Sequence, residues 1–205
     1  LQEHLRPRDM VVPSQFIDRT HQRPQSFFGE GCVAHVSLAD PFCPKLSALL
    51  ANAAEAEIPS GHRLHRGGTY LCMEGPAFST RAESELYRSW GCSVIGMTNH
   101  TEARLAREAE LAYASLSMVT DFDCWHTEHE AVSVEMVIGN LQANAKATEP
   151  ILNELMRQIA LDRPASEAHQ ALAQALITPA DQVPTETRRR LDLFVQPYWG
   201  PAVEG

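Results

Sequence analysis

Apolar residues along this chain recur in short runs separated by polar stretches that carry Gly or Pro, and the spacing within the runs alternates between two periods. "RPRDMVVPSQFID" reads as a turn followed by a strand, "TYLCME" as a strand ending at "GP", "CSVIGM" as a strand ending at Met97-Thr98, and "YASLSMVT" as a buried strand. "VAHVSLADPFCPK" predicts a short alternating strand and then a turn. Helical spacing lies between these runs. Pro44, at a first helical position, opens a helix with Leu46, Leu49, Leu50, Ala53 and Ala54 on one side. Thr80-Arg81-Ala82-Glu83 has the capping-box pattern, which predicts a helix to Gly91 that buries Ala82, Leu86, Tyr87 and Trp90. "TEARLAREAE" predicts a short helix. A longer one starts at about Val134 and carries Val137, Ile138, Leu141 and Ala145 at helical spacing. Pro150 should kink or break it before "ILNELMRQIA" resumes. "SEAHQALAQALI" is a further helical segment ahead of a Pro-containing tail, "RTHQRPQSFFGEGC" and "SGHRLHRGG" read as loops, and the first residues look like the middle of a helix. Strands alternating with helices predict an α/β fold.

Composition narrows this picture. A chain of 205 residues, 44% of them hydrophobic, can build one domain with a real core, so residues 1–205 are read as a single domain. The net charge of −9 and the absence of a basic stripe argue against nucleic acid as a partner. No apolar run is long enough to cross a bilayer, and the start is not signal-like. Five scattered cysteines without a C-x-x-C pair suit a reduced, cytoplasmic protein.

Candidate chemistry concentrates where strands end. "EGPAFST", "MTNHTE" and "TDFD" follow three of the expected strands, and ligands of open α/β sheets bind beyond strand carboxyl ends. Phe78, Ser79, Met97, Thr98, Asp121 and Asp123 could therefore converge, although ordinary strand-to-helix turns use the same residues. In an extended chain Asp121 and Asp123 point to one side, with Phe122 turned to the other. Such a pair commonly caps a helix or meets Arg. Alternatively, one carboxyl is kept protonated, ready to donate to a ring nitrogen. The run "HTEHE" (126–130) tempts toward metal, but the residue four beyond His129 is Ser133, and no further Cys or His arrives at ligand spacing, so a solvated charged loop explains it. His35 stands alone in its expected strand, the pattern of a core or interface residue.

"QFIDRT…RPQSFF", "EGPAFSTRAES…YRSWG", "MT…EA.LARE", "TDFDCWH" and "EAVSVEMV", in this order, resemble the methylthioadenosine phosphorylases of the trimeric purine nucleoside phosphorylase family. The likeness runs to about Ala147 and continues weakly through "ALITP". It implies a mixed central sheet flanked by helices, incomplete at the N-terminus because the family's N-terminal third is absent. That third carries the Gly-rich phosphate loop, an Arg-His pair and a further Thr.

The implied reaction is attack of inorganic phosphate on C1′ of S-methyl-5′-thioadenosine, releasing adenine and 5-methylthioribose 1-phosphate. By match to the motifs, Asp121 would hold a proton for N7 of the base and Asp123 would accept from the 6-amino group. Two aspartates suit a 6-aminopurine, since a 6-oxopurine would leave buried polar groups unpaired. Phe78 would stack near the base, Ser79 would stand where 6-oxopurine enzymes carry an acid, and Phe122 is counted with the substrate-binding residues. Met97 would lie against the ribose, and Thr98 would donate to phosphate. Val134, Val137 and Ile138 would line the 5′-methylthio pocket. His35 would reach the same end of the ligand in a neighbouring subunit of a homotrimer. No metal or organic cofactor is implied; phosphate is a co-substrate. His100-Thr101 departs from the apolar residue and Pro usual in the family, which puts the turn after Thr98 in question. The alternatives are a purine nucleoside phosphorylase of broader base specificity and a truncated, non-catalytic nucleoside-binding chain.

Overall fold

The computed structural model describes residues 1–126 and 134–202. Two long parallel strands run side by side through its centre, and each is broken once. The first consists of β1 (Met10–Val12) and β2 (Gln15–Arg19), interrupted at Pro13-Ser14. The second consists of β3 (Leu64–Arg66) and β4 (Thr69–Met73), interrupted at Gly67-Gly68. β1 pairs with β3 from Met10↔Leu64 to Val12↔Arg66, and β2 with β4 from Gln15↔Thr69 to Arg19↔Met73. The break is tight: Gly68 takes φ +95°, and a Cβ there would sit 2.4 Å from Ser93 Oγ, so only glycine fits the bend.

Each half then gains one strand. β5 (Val94–Gly96) adds parallel to β4, and β6 (Ser117–Met118) adds antiparallel to β1. The result is a mixed α/β arrangement of two three-stranded sheets, ordered β3-β1-β6 and β2-β4-β5. Helix α1 (Pro44–Glu57) begins with Pro44 as its spacing predicts, and α2 (Arg81–Ser89) begins with a complete capping box. α3 (His100–Glu108), α4 (Val134–Leu161) and α5 (Thr185–Trp199) follow.

Strand alternation divides the core. Met10 and Val12 face Leu50, Ala51, Ala53 and Ala54 of α1 and Ala147 and Ile151 of α4. Val11 faces the other way and packs with Tyr70, Cys72 and Val94. Leu71 meets Tyr87 of α2, Cys92 and Trp125, and the Arg88 guanidinium lies 3.3 Å from the Trp125 ring centroid. α5 closes a smaller cluster of Cys32, Leu191 and Val195, joined by Phe27 stacked on Phe194.

Several sequence expectations are corrected. The first residues form turns, and "SGHRLHRGG" contains β3. α2 buries Ser84 and Tyr87, whereas Ala82, Leu86 and Trp90 are exposed, because the inward face answers a carboxylate as well as the core. α4 continues past Pro150 without interruption. "SEAHQALAQALI" contributes only a 3-10 turn (Glu167–Gln170), and the helix of this region is α5, within the tail. "VAHV" makes a single bridge, Ala34 to Leu176, in place of a strand. "YASLSMVT" pairs only at Ser117-Met118 and is half-buried, because its other side lines a cavity.

Candidate active site

A cavity of about 330 Å³ opens between the carboxyl end of β5 and the segment 115–121. Met97, Thr98, Asp121 and Asp123 all line it, together with Tyr70 and Thr120. Its position beyond a parallel strand's carboxyl end is the one that topology favours, and its volume falls in the range of roughly 300–1,000 Å³ of small-molecule pockets.

The two aspartates reach it by a route that the alternation argument misses. Asp123 takes φ +62°, so the pair does not lie on an extended strand. Its N–H turns back to donate to Asp121 Oδ1 at 2.8 Å, an Asx turn that brings both carboxylates to the cavity. Asp121 Oδ2 accepts from the Thr120 hydroxyl at 2.7 Å. Asp123 Oδ2 accepts from the wholly buried Ser84 hydroxyl at 2.6 Å. Ser84 is aimed by the start of α2, where Thr80 Oγ1 accepts from Glu83 N–H and Thr80 N–H donates to Glu83 Oε2 at 2.7 Å. Both oxygens of Asp121 and one of Asp123 are thus held, by two hydroxyls and an amide.

The wall carrying Asp121 is clamped from α4. Asn140 Nδ2 donates to Thr120 O at 2.8 Å and Asn144 Nδ2 to Val119 O at 3.1 Å. Both asparagines are buried, one helical turn apart. The opposite wall is tied by Arg23, which donates to Met73 O, Glu74 O and Met97 O and so joins the ends of β4 and β5. Thr98 N–H donates to the Tyr70 hydroxyl at 3.3 Å, and the two hydroxyls are 3.1 Å apart. Burial pushes the Tyr70 hydroxyl above the ordinary phenol range.

The turn after Thr98 is well made despite its unusual sequence. Asn99 takes φ +77°, its Oδ1 accepts from the Tyr113 hydroxyl at 2.8 Å, and α3 starts at His100. His100 is fully buried, with Nε2 3.0 Å from Asp18 Oδ2 and Nδ1 3.2 Å from Thr20 Oγ1. Burial lowers its pKa, with Asp18 opposing.

Phe78, Ser79, Phe122, His35 and Ile138 are not among the residues that line the cavity. The Ser79 carbonyl accepts from Cys124 Sγ at 3.3 Å, joining the 76–79 loop to the Asp turn. Phe78 is 80% exposed in that loop. Phe122 points away from the cavity, packing 6.3 Å from Trp125 and 4.9 Å from His126 between ring centroids. His35 is exposed, in an extended segment whose N–H donates to Ala175 O at 2.8 Å, so it is a surface rather than a core histidine. Ile138 is exposed on the first turns of α4, and the side chains of Val134 and Val137 lie outside the described residues, as do residues 127–130 of the charged run. Among the described residues no group of three or more His, Cys, Asp or Glu could hold a metal ion. No described helix is long and apolar enough to cross a membrane.

Tyr70, Ser84, Thr120, Asn140 and Asn144 were not expected from the sequence. Only the asparagines left a signal, an i, i+4 polar pair on the helix face that also carries Ala147 and Ile151.

A family model described as the phosphorylase superfamily matches residues 1–157. S-methyl-5′-thioadenosine phosphorylase of Prochlorococcus marinus is 63% identical over 200 residues, 98% of this chain and 64% of its own length. That of Thermosynechococcus vestitus is 57% identical over 97% of this chain and 68% of its own. The chain therefore spans just under two thirds of the first of these relatives. A solved methylthioadenosine phosphorylase sourced from an antarctic soil metagenomic library superposes with a TM-score of 0.90 at 49% identity, over 94% of this chain and 67% of that one. The Schistosoma mansoni methylthioadenosine phosphorylase in complex with adenine gives 0.78 at 32% identity, over 86% and 69%.

Proposed function

This chain belongs to the phosphorylase superfamily, and from that premise we propose that it serves the phosphorolysis of S-methyl-5′-thioadenosine as a pentosyltransferase. The observation that carries this reading is the meeting of Met97, Thr98, Asp121 and Asp123 on one cavity beyond a strand end. Phosphate attacks C1′ of the nucleoside, the bond from C1′ to the purine breaks, and its electron pair passes into the base. A proton delivered to N7 lets adenine leave as a neutral molecule, which is general-acid work.

Asp121 supplies that proton. Its Oδ1 accepts from the Asp123 N–H and its Oδ2 from the Thr120 hydroxyl, which hold the carboxyl in place for that transfer. Asp123, with Oδ2 held by Ser84, offers Oδ1 to the 6-amino group. Thr98 donates to phosphate and Met97 lies against the ribose. Ser79 and Phe78 border the base from the 76–79 loop, with Phe122 backing the turn. Val134, Val137 and Ile138 form the 5′-methylthio end, and the exposed His35 completes a neighbour's site in a homotrimer. The unit is a single domain that needs no metal or organic cofactor. Its free cysteines suit the cytoplasm.

The test is phosphate-dependent release of adenine from methylthioadenosine, measured on this chain and on the complete product of its open reading frame. Release by neither, with both folded, rejects the reaction. Asp121→Asn should lower kcat by roughly 10²–10⁴-fold with an unchanged thermal transition; wild-type turnover in that variant removes Asp121 from the acid role. Comparing adenine-type with hypoxanthine-type nucleosides separates strict 6-amino preference from broader base specificity.

A further inference from the structure

Within the proposed reaction, on which this inference rests, we infer that Tyr70 is a positioning residue for the phosphate co-substrate, acting by fixing the direction of the Thr98 hydroxyl proton. A count of protons leads to this. The Thr98 N–H can only donate, so at 3.3 Å the Tyr70 hydroxyl oxygen is its acceptor. The Tyr70 hydroxyl has one proton of its own, and the acceptor beside it is Thr98 Oγ1 at 3.1 Å. In the reverse arrangement Tyr70 would accept twice, although a phenol is the more acidic hydroxyl and the better donor of the two. Thr98 Oγ1 therefore accepts from Tyr70, and its own proton is left to point into the cavity.

That direction matters because an anion at Thr98 needs an outward-pointing donor beside two aspartates. No Lys or Arg is among the described residues lining it, and two aspartates are. A hydroxyl that could spend its proton on a neighbour would be a poor donor to an anion bound at Thr98. Burial keeps the Tyr70 phenol protonated well above neutral pH, so the arrangement holds across the working range.

The backbone is shaped to allow it. A Cβ on Gly96, the last residue of β5, would stand 2.0 Å from the Tyr70 hydroxyl oxygen and 2.8 Å from the ring carbon that carries it. Both atoms are part of a packed ring rather than the end of a flexible chain, since Tyr70 is 5% exposed among Val11, Cys72 and Val94. Glycine at 96 is what lets the phenol cross over β5 to reach Thr98.

The experiment is calorimetric titration of inorganic phosphate into the complete open-reading-frame product, as wild type, Tyr70→Phe, Thr98→Val and the double variant. Tyr70→Phe keeps the packed ring, and the exposed Thr98 N–H it frees can turn to water, so the variant folds. Its phosphate affinity should fall about five- to tenfold, the equilibrium equivalent of one hydrogen bond's net contribution, with the affinity for methylthioadenosine unchanged. In the Thr98→Val background Tyr70→Phe should have no further effect. Unchanged phosphate affinity in Tyr70→Phe, or an equal loss in the Thr98→Val background, overturns the inference even if adenine is released. Phosphate binding that depends on Tyr70 in a protein releasing no adenine upholds the inference and overturns the reaction. No phosphate binding by the wild type overturns both.

Discussion

Replacing Ser84 by alanine tests whether the aspartate turn is held from α2. The Ser84 hydroxyl is wholly buried and donates to Asp123 Oδ2 at 2.6 Å. Asp123 sits at φ +62°, a conformation that costs a residue with a Cβ roughly 1–2 kcal/mol. Its own N–H bond to Asp121 and the Ser84 bond are the described interactions that keep it there. A hydrogen bond to a charged group contributes about 1.5–3 kcal/mol. Asp123 is only half-buried, so water recovers part of this, and the lower end, about 1.5 kcal/mol, is expected. In a domain of this size that corresponds to a melting temperature lower by about 3–6 °C. Chemical denaturation of the wild type, Ser84→Ala, Asp123→Ala and the double variant measures the pair directly. A coupling of about 1 kcal/mol or more is expected. Additive losses would refute the reasoning, because they would mean that α2 and the turn are stabilised independently. Under the proposed reaction Ser84→Ala should also raise KM for methylthioadenosine while leaving KM for phosphate unchanged, since Ser84 contacts the base-side carboxylate and nothing near Thr98.

Ile151→Ala should destabilise by about 2–5 kcal/mol in denaturant unfolding, because Ile151 is fully buried where α4 crosses α1 and β1; a loss under about 1 kcal/mol would mean that this contact is not part of the cooperative core. Two pH windows are expected in the same measurement. Burial depresses the His100 pKa below its ordinary 6.5, so the unfolded chain binds the proton first, and stability should fall as pH drops below about 6.5, a slope that His100→Gln should flatten. Asp9 is held below its ordinary 3.8 by the Arg6 amide, Arg63 and His65, which outweigh burial. Its share of stability is complete above that value and is lost as pH falls through the lower folded pKa, so Asp9→Asn should reduce the loss below about pH 4.

Local chemistry in the sequence foretold the starts of the first two helices. Pro44 and the Thr80-Glu83 box begin α1 and α2 as their spacing predicts, because caps are satisfied by neighbours within a turn. The carboxyl end of β5 was legible for the same reason. What failed were judgements that depend on partners far along the chain. Ser84 is a small polar residue on what spacing presents as an outer face, and it is inward only because Asp123 waits there, 39 residues away. The tail reads only as Pro-containing, yet α5 forms there, with Leu191 and Val195 packed on Cys32 and Phe27. β6 shrinks to two residues, and the segment that carries it lines the cavity on one side.

The aspartate turn shows why a correct conclusion can follow from a wrong geometry. Alternation along a strand and an Asx turn both deliver residues i and i+2 to one side, the first by pleat and the second by curling the backbone until one side chain accepts the other's N–H. They differ in what the carboxylates can do. On a flat strand all four oxygens would be open to a ligand. In the turn, Asp121 Oδ1 is taken by backbone, Asp121 Oδ2 is shared with Thr120, and Asp123 Oδ2 is taken by Ser84. Distinct partners at neighbouring acids are the means by which two like groups acquire different roles. Under the proposed reaction, in which one aspartate donates a proton and the other accepts, the difference between them would come from Thr120, Ser84 and a left-handed backbone. Asp123→Gly, which relaxes that backbone but removes the acceptor, should preserve the fold more fully than it preserves discrimination between 6-amino and 6-oxo bases.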